Sequence, residues 1–115
     1  VALRDDLDAF LPLGHLDFEI LVSLGRRDLH GYAIAAEISD RTGGVMNPGM
    51  SSLYLAVRRL VKNGFVVDAG QRGDESDGPP RRYYRITRRG RAVAQRETQR
   101  LQAQARAAAR VFRDV

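Results

Sequence analysis

The chain has 115 residues, a formal net charge of +5 and no cysteine, enough for one domain with a modest core and too short for two. Disulfides and thiolate metal sites are excluded, and His15 with His30 is a poor metal set. Hydrophobic residues make up 43% of the sequence, yet no apolar run nears membrane-spanning length and no secretion signal opens the chain, so a soluble cytoplasmic protein with no membrane partner is expected.

Leu3, Leu7, Phe10 and Leu11 follow a helical spacing, which predicts a short amphipathic helix stopped by Pro12. A second helix is expected around Leu16 to Leu24, with Gly25 ending it as a C′ glycine. A third runs from about Gly31 to Arg41 on the stripe Tyr32, Ile34, Ala35 and Ile38, and Thr42-Gly43-Gly44 breaks it. Asn47-Pro48 would open a fourth, reaching Asn63, with Leu53, Ala56, Val57 and Leu60 inward. Its opposite side collects Ser51, Tyr54, Leu55, Arg58 and Lys62.

Phe65 to Asp68 reads as a strand, Ala69 to Pro80 as a flexible turn and Arg81 to Ile86 as the returning strand. At a two-residue period, Tyr84 and Ile86 would face the core with Phe65 or Val67, while Arg81, Tyr83 and Arg85 share the other face. Thr87 caps a last helix reaching roughly Arg113. Its seam of Ala94, Thr98, Leu101, Ala105, Ala108 and Phe112 is heptad-like. A helix this long cannot fold back along its whole face on so small a domain. A homodimer is therefore expected, with Leu3, Leu7, Phe10, Leu101, Ala105, Ala108 and Phe112 at the interface. The acidic first helix of one protomer would lie on the basic last helix of the other.

Charge is unevenly spread. Residues 1–20 carry Arg4 against five acids, whereas residues 81–113 carry eleven arginines against Glu97. Such a block suits a polyanion or an acidic protein surface. On the helix from Pro48, the hydroxyls of Ser51 and Ser52 would approach phosphates or bases, Leu55 a thymine methyl, Tyr54 a phosphate oxygen, and Arg58 and Lys62 the backbone. Arg81 and Arg82, nearest the hairpin tip, would reach a minor groove or its phosphates, and Tyr32 a phosphate. The acidic loop Asp74 to Asp77 works against such a contact. No nucleophile–base constellation and no phosphate-cradling glycine motif is present, so neither an enzyme nor a cofactor is expected.

The chain resembles the PadR family of bacterial transcriptional regulators from Leu11 to about Arg110. The likeness rests on His30-Gly31-Tyr32-Ala33-Ile34, Thr42-Gly43-Gly44, Leu53-Tyr54 with Arg59-Leu60, Asn63-Gly64-Phe65-Val66, and Arg81 to Thr87 with Gly90-Arg91. It implies a winged helix-turn-helix over residues 1–87 and a dimerisation helix over 88–115, hence a mainly α fold with a small two-stranded β wing. It further implies a repressor role at double-stranded promoter DNA, with Tyr54 on phosphate and Arg81 or Arg82 as wing contacts. Ser51-Ser52 stands where the family usually has Gly-Thr, and Leu55 replaces a frequent proline, so operator sequence does not transfer from relatives. Some members bind aromatic compounds at the dimer interface, which makes a small aromatic effector a candidate partner. A winged-helix module docking an acidic protein is the alternative function.

Overall fold

The computed structural model describes residues 6–73 and 78–113. Leu3 and the acidic loop Asp74 to Asp77 lie outside the described residues. A short 3-10 helix, Asp6–Phe10, precedes α1 (His15–Ser23), β1 (Leu29–His30), α2 (Gly31–Arg41), α3 (Met50–Lys62), β2 (Val66–Arg72), β3 (Arg81–Ile86) and α4 (Arg88–Phe112). This is a winged helix-turn-helix followed by a long helix. Among the described residues no helix is long and apolar enough to cross a membrane.

The apolar stripes of the first three helices meet in one core. Ile20, Leu21 and Leu24 from α1 and its cap pack with Ile34 and Ile38 of α2 and with Leu53, Ala56, Val57 and Leu60 of α3. Phe65, Val66, Ile86 and Val93 close it from the sheet and α4. Val67 is 41% exposed, so Phe65 and Val66 are the inward residues at this point of the strand.

Local chemistry sets the boundaries. His30 caps α2, its Nδ1 accepting from Ala33 N at 3.2 Å. Gly49, rather than Asn47, is the N-cap of α3, which starts at Met50. Gly64, at φ 79°, provides the left-handed exit from α3, and Phe65 N returns to Leu60 O at 2.9 Å. Gly25 has no positive φ. Its carbonyl instead accepts from Arg91 Nη2 at 3.0 Å, so the end of α1 is held by α4.

The sheet has three antiparallel strands in the order β1-β3-β2. The two-residue β1, not anticipated from the sequence, pairs Leu29 with Tyr84 and His30 with Tyr83. β2 pairs Val66 with Ile86 and Arg72 with Arg81, with a bulge between Asp68 and Gln71. It thus extends to Arg72, into the first part of the stretch Ala69 to Pro80 read as a flexible turn. Thr87 caps α4, its Oγ1 accepting from Gly90 N at 2.9 Å. A Cβ on Gly90 would overlap the Phe65 carbonyl, which fixes how closely α4 sits on the wing base.

α4 has 25 residues, about 37 Å at the α-helical rise, and every described residue beyond Leu101 is exposed. The first acidic segment packs on its own chain. Asp6 pairs with Arg89 at 2.9 Å and Asp8 with Arg96 at 3.0 Å. Leu7 is 4% exposed within the core, and Phe10 meets Phe65 edge-on at 4.9 Å. Within one chain, Leu7 and Phe10 of this segment, expected at a dimer interface, pack on their own core. The proximity of Asp6 and Asp8 to the arginines of their own α4 satisfies the same charge complementarity without a second chain.

Candidate nucleic-acid interface

The outward face of α3 emerges as its periodicity requires. Ser51, Ser52, Leu55, Arg58 and Lys62 are exposed, and Leu55 leaves 57% of its surface to solvent. Tyr54 leans from the same helix onto the start of α2, beside Gly31. There the wing meets both helices. His30, Gly31, Tyr32, Tyr54, Pro79, Pro80, Arg81 and Arg82 line one open cleft of about 460 Å³.

Residues far apart in sequence thus converge: Tyr32, Tyr54, Arg81 and Arg82 share this cleft. The Arg81 guanidinium lies 5.3 Å from the Tyr32 ring centroid, and its Nη1 is 3.3 Å from His30 Nε2. A second groove, about 190 Å³, continues between α3 and the sheet along Tyr54, Val57, Arg58, Val61, Asp68 and Tyr84. Burial pushes the Tyr84 phenol up, and the neighbouring Tyr54 adds to the shift.

Ion pairing sorts the cations. Arg59 is bound by Asp17 at 2.6 and 3.1 Å, so it clamps α3 to α1 and faces away from the cleft. Arg72 and Arg85 converge on Asp28, at 2.6 and 2.8 Å, and hold its carboxyl below the usual range. Arg82 pairs with Asp68. Asp68 also accepts from Gly70 N at 2.8 Å, and that bond with the Arg82 pair keeps its carboxyl low. Among the described residues no ion pair includes Arg58, Lys62 or Arg81, which lie on α3 and at the tip side of β3.

Tyr83 is not a free stacking platform. Arg72 covers its ring at 4.6 Å and His30 meets it edge-on at 5.4 Å. Several organising residues carry no sequence signal of their own. Asp28 stands alone in a loop and Glu97 alone among arginines, and only three-dimensional packing gives them partners. Among the described residues no cluster of three or more histidines or carboxylates could hold a metal.

Of the expected interface residues on α4, Leu101 is half-buried and Ala105 and Ala108 are exposed, while Phe112 is 69% exposed. They form no shared site with the cleft.

Comparison with known proteins gives a consistent picture. Residues 20–96 match the model of the transcriptional regulator PadR-like family. An uncharacterized protein of Lysinibacillus sphaericus is 44% identical over 79 residues, spanning 69% of this chain and 71% of that protein. A transcriptional regulator of Clostridium thermocellum superposes with a TM-score of 0.71 at 26% identity, over 97% of this chain and 99% of its own. Bacillus subtilis PadR, solved in complex with operator DNA, shares the fold at a TM-score of 0.61 and 22% identity, over 78% of this chain and 48% of its own.

Proposed function

Since the chain belongs to the PadR-like family of transcriptional regulators, and so is a regulator rather than an enzyme, we propose that it works as a homodimer reading a two-fold symmetric operator in double-stranded DNA. The observation that carries this reading is the shared cleft of Tyr32, Tyr54, Arg81 and Arg82, continuous with a helix face whose Arg58 and Lys62 have no ionic partner among the described residues. Such a surface offers donors to phosphate at both ends of a recognition helix.

In this reading α3 enters the major groove by its N-terminal end, where Ser51, Ser52 and Leu55 meet base edges. Tyr54, Tyr32, Arg58 and Lys62 hold the flanking phosphates, and Arg81 reaches past the wing into the adjacent backbone. Arg82 contributes once its pairing with Asp68 opens. Residues 1–87 supply this DNA-binding unit and residues 88–115 the dimerisation arm, through Leu101, Ala105, Ala108 and Phe112. Two copies would place their recognition helices about 34 Å apart, one turn of duplex.

Occupancy of a promoter by such a dimer blocks transcription, hence a repressor. An aromatic effector between the arms would release the DNA by favouring another arm geometry. The direct experiment measures binding to the duplex upstream of the chain's own gene. Tight binding that weakens steeply with salt supports the reading. No binding at low salt, with capture of an acidic protein instead, would replace it with the docking-module function.

A further inference from the structure

The turn between α2 and α3 presents one side chain that neither the core nor the contacts above employ. Val45 is 91% exposed, more than any other large apolar residue described. Val22, Val61 and Val67 are only 37–41% exposed and keep part of their surface on the protein.

The backbone that carries Val45 is firmly held. Gly43 and Gly44 take left-handed φ values of 63° and 80°, a conformation that favours glycine. Thr42 N, Gly43 N, Gly44 N and Val45 N donate to Ile38 O, Asp40 O, Ser39 O and Thr42 O at 2.8–3.2 Å. Met46 N donates to Thr42 Oγ1 at 3.0 Å. That hydroxyl lies 2.8 Å from Ile38 O and 3.2 Å from Met46 O. Five successive amides are bonded, and valine is stiff at χ1. The isopropyl group is therefore aimed, not floppy.

Four residues further on, Gly49 opens α3. At no more than about 3.6 Å per residue, Val45 lies within about 14 Å of that end of the helix. Resting on the reading of α3 as the recognition helix, we propose that Val45 is a specificity-determining residue that packs on the 5-methyl group of a thymine at the edge of each half-site. A phosphate contact would require a donor, which valine lacks. The apolar feature that a base pair exposes in the major groove is the thymine methyl.

The test selects duplexes from a randomised library with the full chain, as wild type and as Val45→Ala. Each thymine of the wild-type site is then replaced in turn by deoxyuridine, which removes the methyl alone. One position per half-site should weaken wild-type binding about fourfold, the effect of one buried methyl. Val45→Ala should be insensitive at that position and melt at the wild-type temperature. If Val45→Ala loses affinity at every deoxyuridine just as wild type does, the proposal is overturned. If wild type selects no sequence at all, the reading of α3 as a base-reading helix fails, and this inference falls with it.

Discussion

The Tyr54 ring of α3 rests on the backbone of Gly31, the first residue of α2: a Cβ placed on Gly31 would stand 2.5 Å from the phenol oxygen and 2.7 Å from Cζ. Gly31 has no positive φ, so the glycine is needed for close approach and not for backbone freedom. Through this contact α3 is registered against the start of α2, and the phenol is held at the cleft.

Gly31→Ala should therefore push Tyr54 aside, costing about 1–3 kcal/mol of stability as overpacking does. DNA affinity should fall with it. In a Tyr54→Ala background the same substitution should cost much less, because the clash is gone. Urea denaturation of the four proteins measures this, and equal costs in both backgrounds would refute the contact.

The Asp68–Arg82 pair sets how much of the wing's charge is available. Both side chains are 46% exposed, so Asp68→Asn should leave the melting temperature close to that of the wild type, because exposed pairs contribute little. Releasing Arg82 should tighten DNA binding and steepen the logarithmic salt dependence by about 0.9, the value of one phosphate contact. Unchanged slope and affinity would mean that Arg82 does not reach the backbone.

Glu97 is 2% exposed on α4, gripped by Arg100 at 2.6 and 2.9 Å. That hydrogen-bonded pairing holds its carboxyl below the ordinary value of 4.5. A carboxyl with a lowered folded pKa binds protons less readily in the native state than in the unfolded chain. Its contribution is thus complete above about pH 4.5 and fades as pH falls through the folded value. Glu97→Gln should cost about 1.5–3 kcal/mol at neutral pH, the range for hydrogen bonds to charged groups, and show a shallower acid limb. Thermal melts from pH 7 to pH 3 report both. An acid limb identical to wild type would remove Glu97 from the account.

The far half of α4 leaves Val111 and Phe112 each 69% exposed. Phe112→Asp should give a monomer by sedimentation with unchanged helical content, and weaken operator binding by more than tenfold, since a lone half-site loses its linked partner. A dimer that persists would place the interface elsewhere.

Much of this was legible in the sequence because the helices obey a single rule. Leu53, Ala56, Val57 and Leu60 recur at the helical period and are all buried, and Thr87 accepts from Gly90 as an N-cap residue does. The two-residue β1 was not legible, since its strand character comes from pairing with Tyr83 and Tyr84. Nor was the fate of the arginines. The helical period places Arg58 on the outward face, where it is exposed, but nothing in the sequence says that Arg59, one residue on, meets Asp17. Complementary charge likewise says that Asp6 and Asp8 will meet arginines, but not whose, and within one chain they meet Arg89 and Arg96 of their own α4.

That neighbouring pair supplies the most direct test of the DNA-binding face. Fluorescence anisotropy of the labelled upstream duplex, across a salt series, compares wild type with Arg58→Ala and Arg59→Ala. Arg58→Ala should weaken binding and flatten the salt slope by about 0.9, with the melting temperature unchanged. Arg59→Ala should lower the melting temperature through loss of the Asp17 clamp and leave the slope at the wild-type value. The reverse pattern, or identical slopes in all three proteins, would contradict the assignment of this face to DNA.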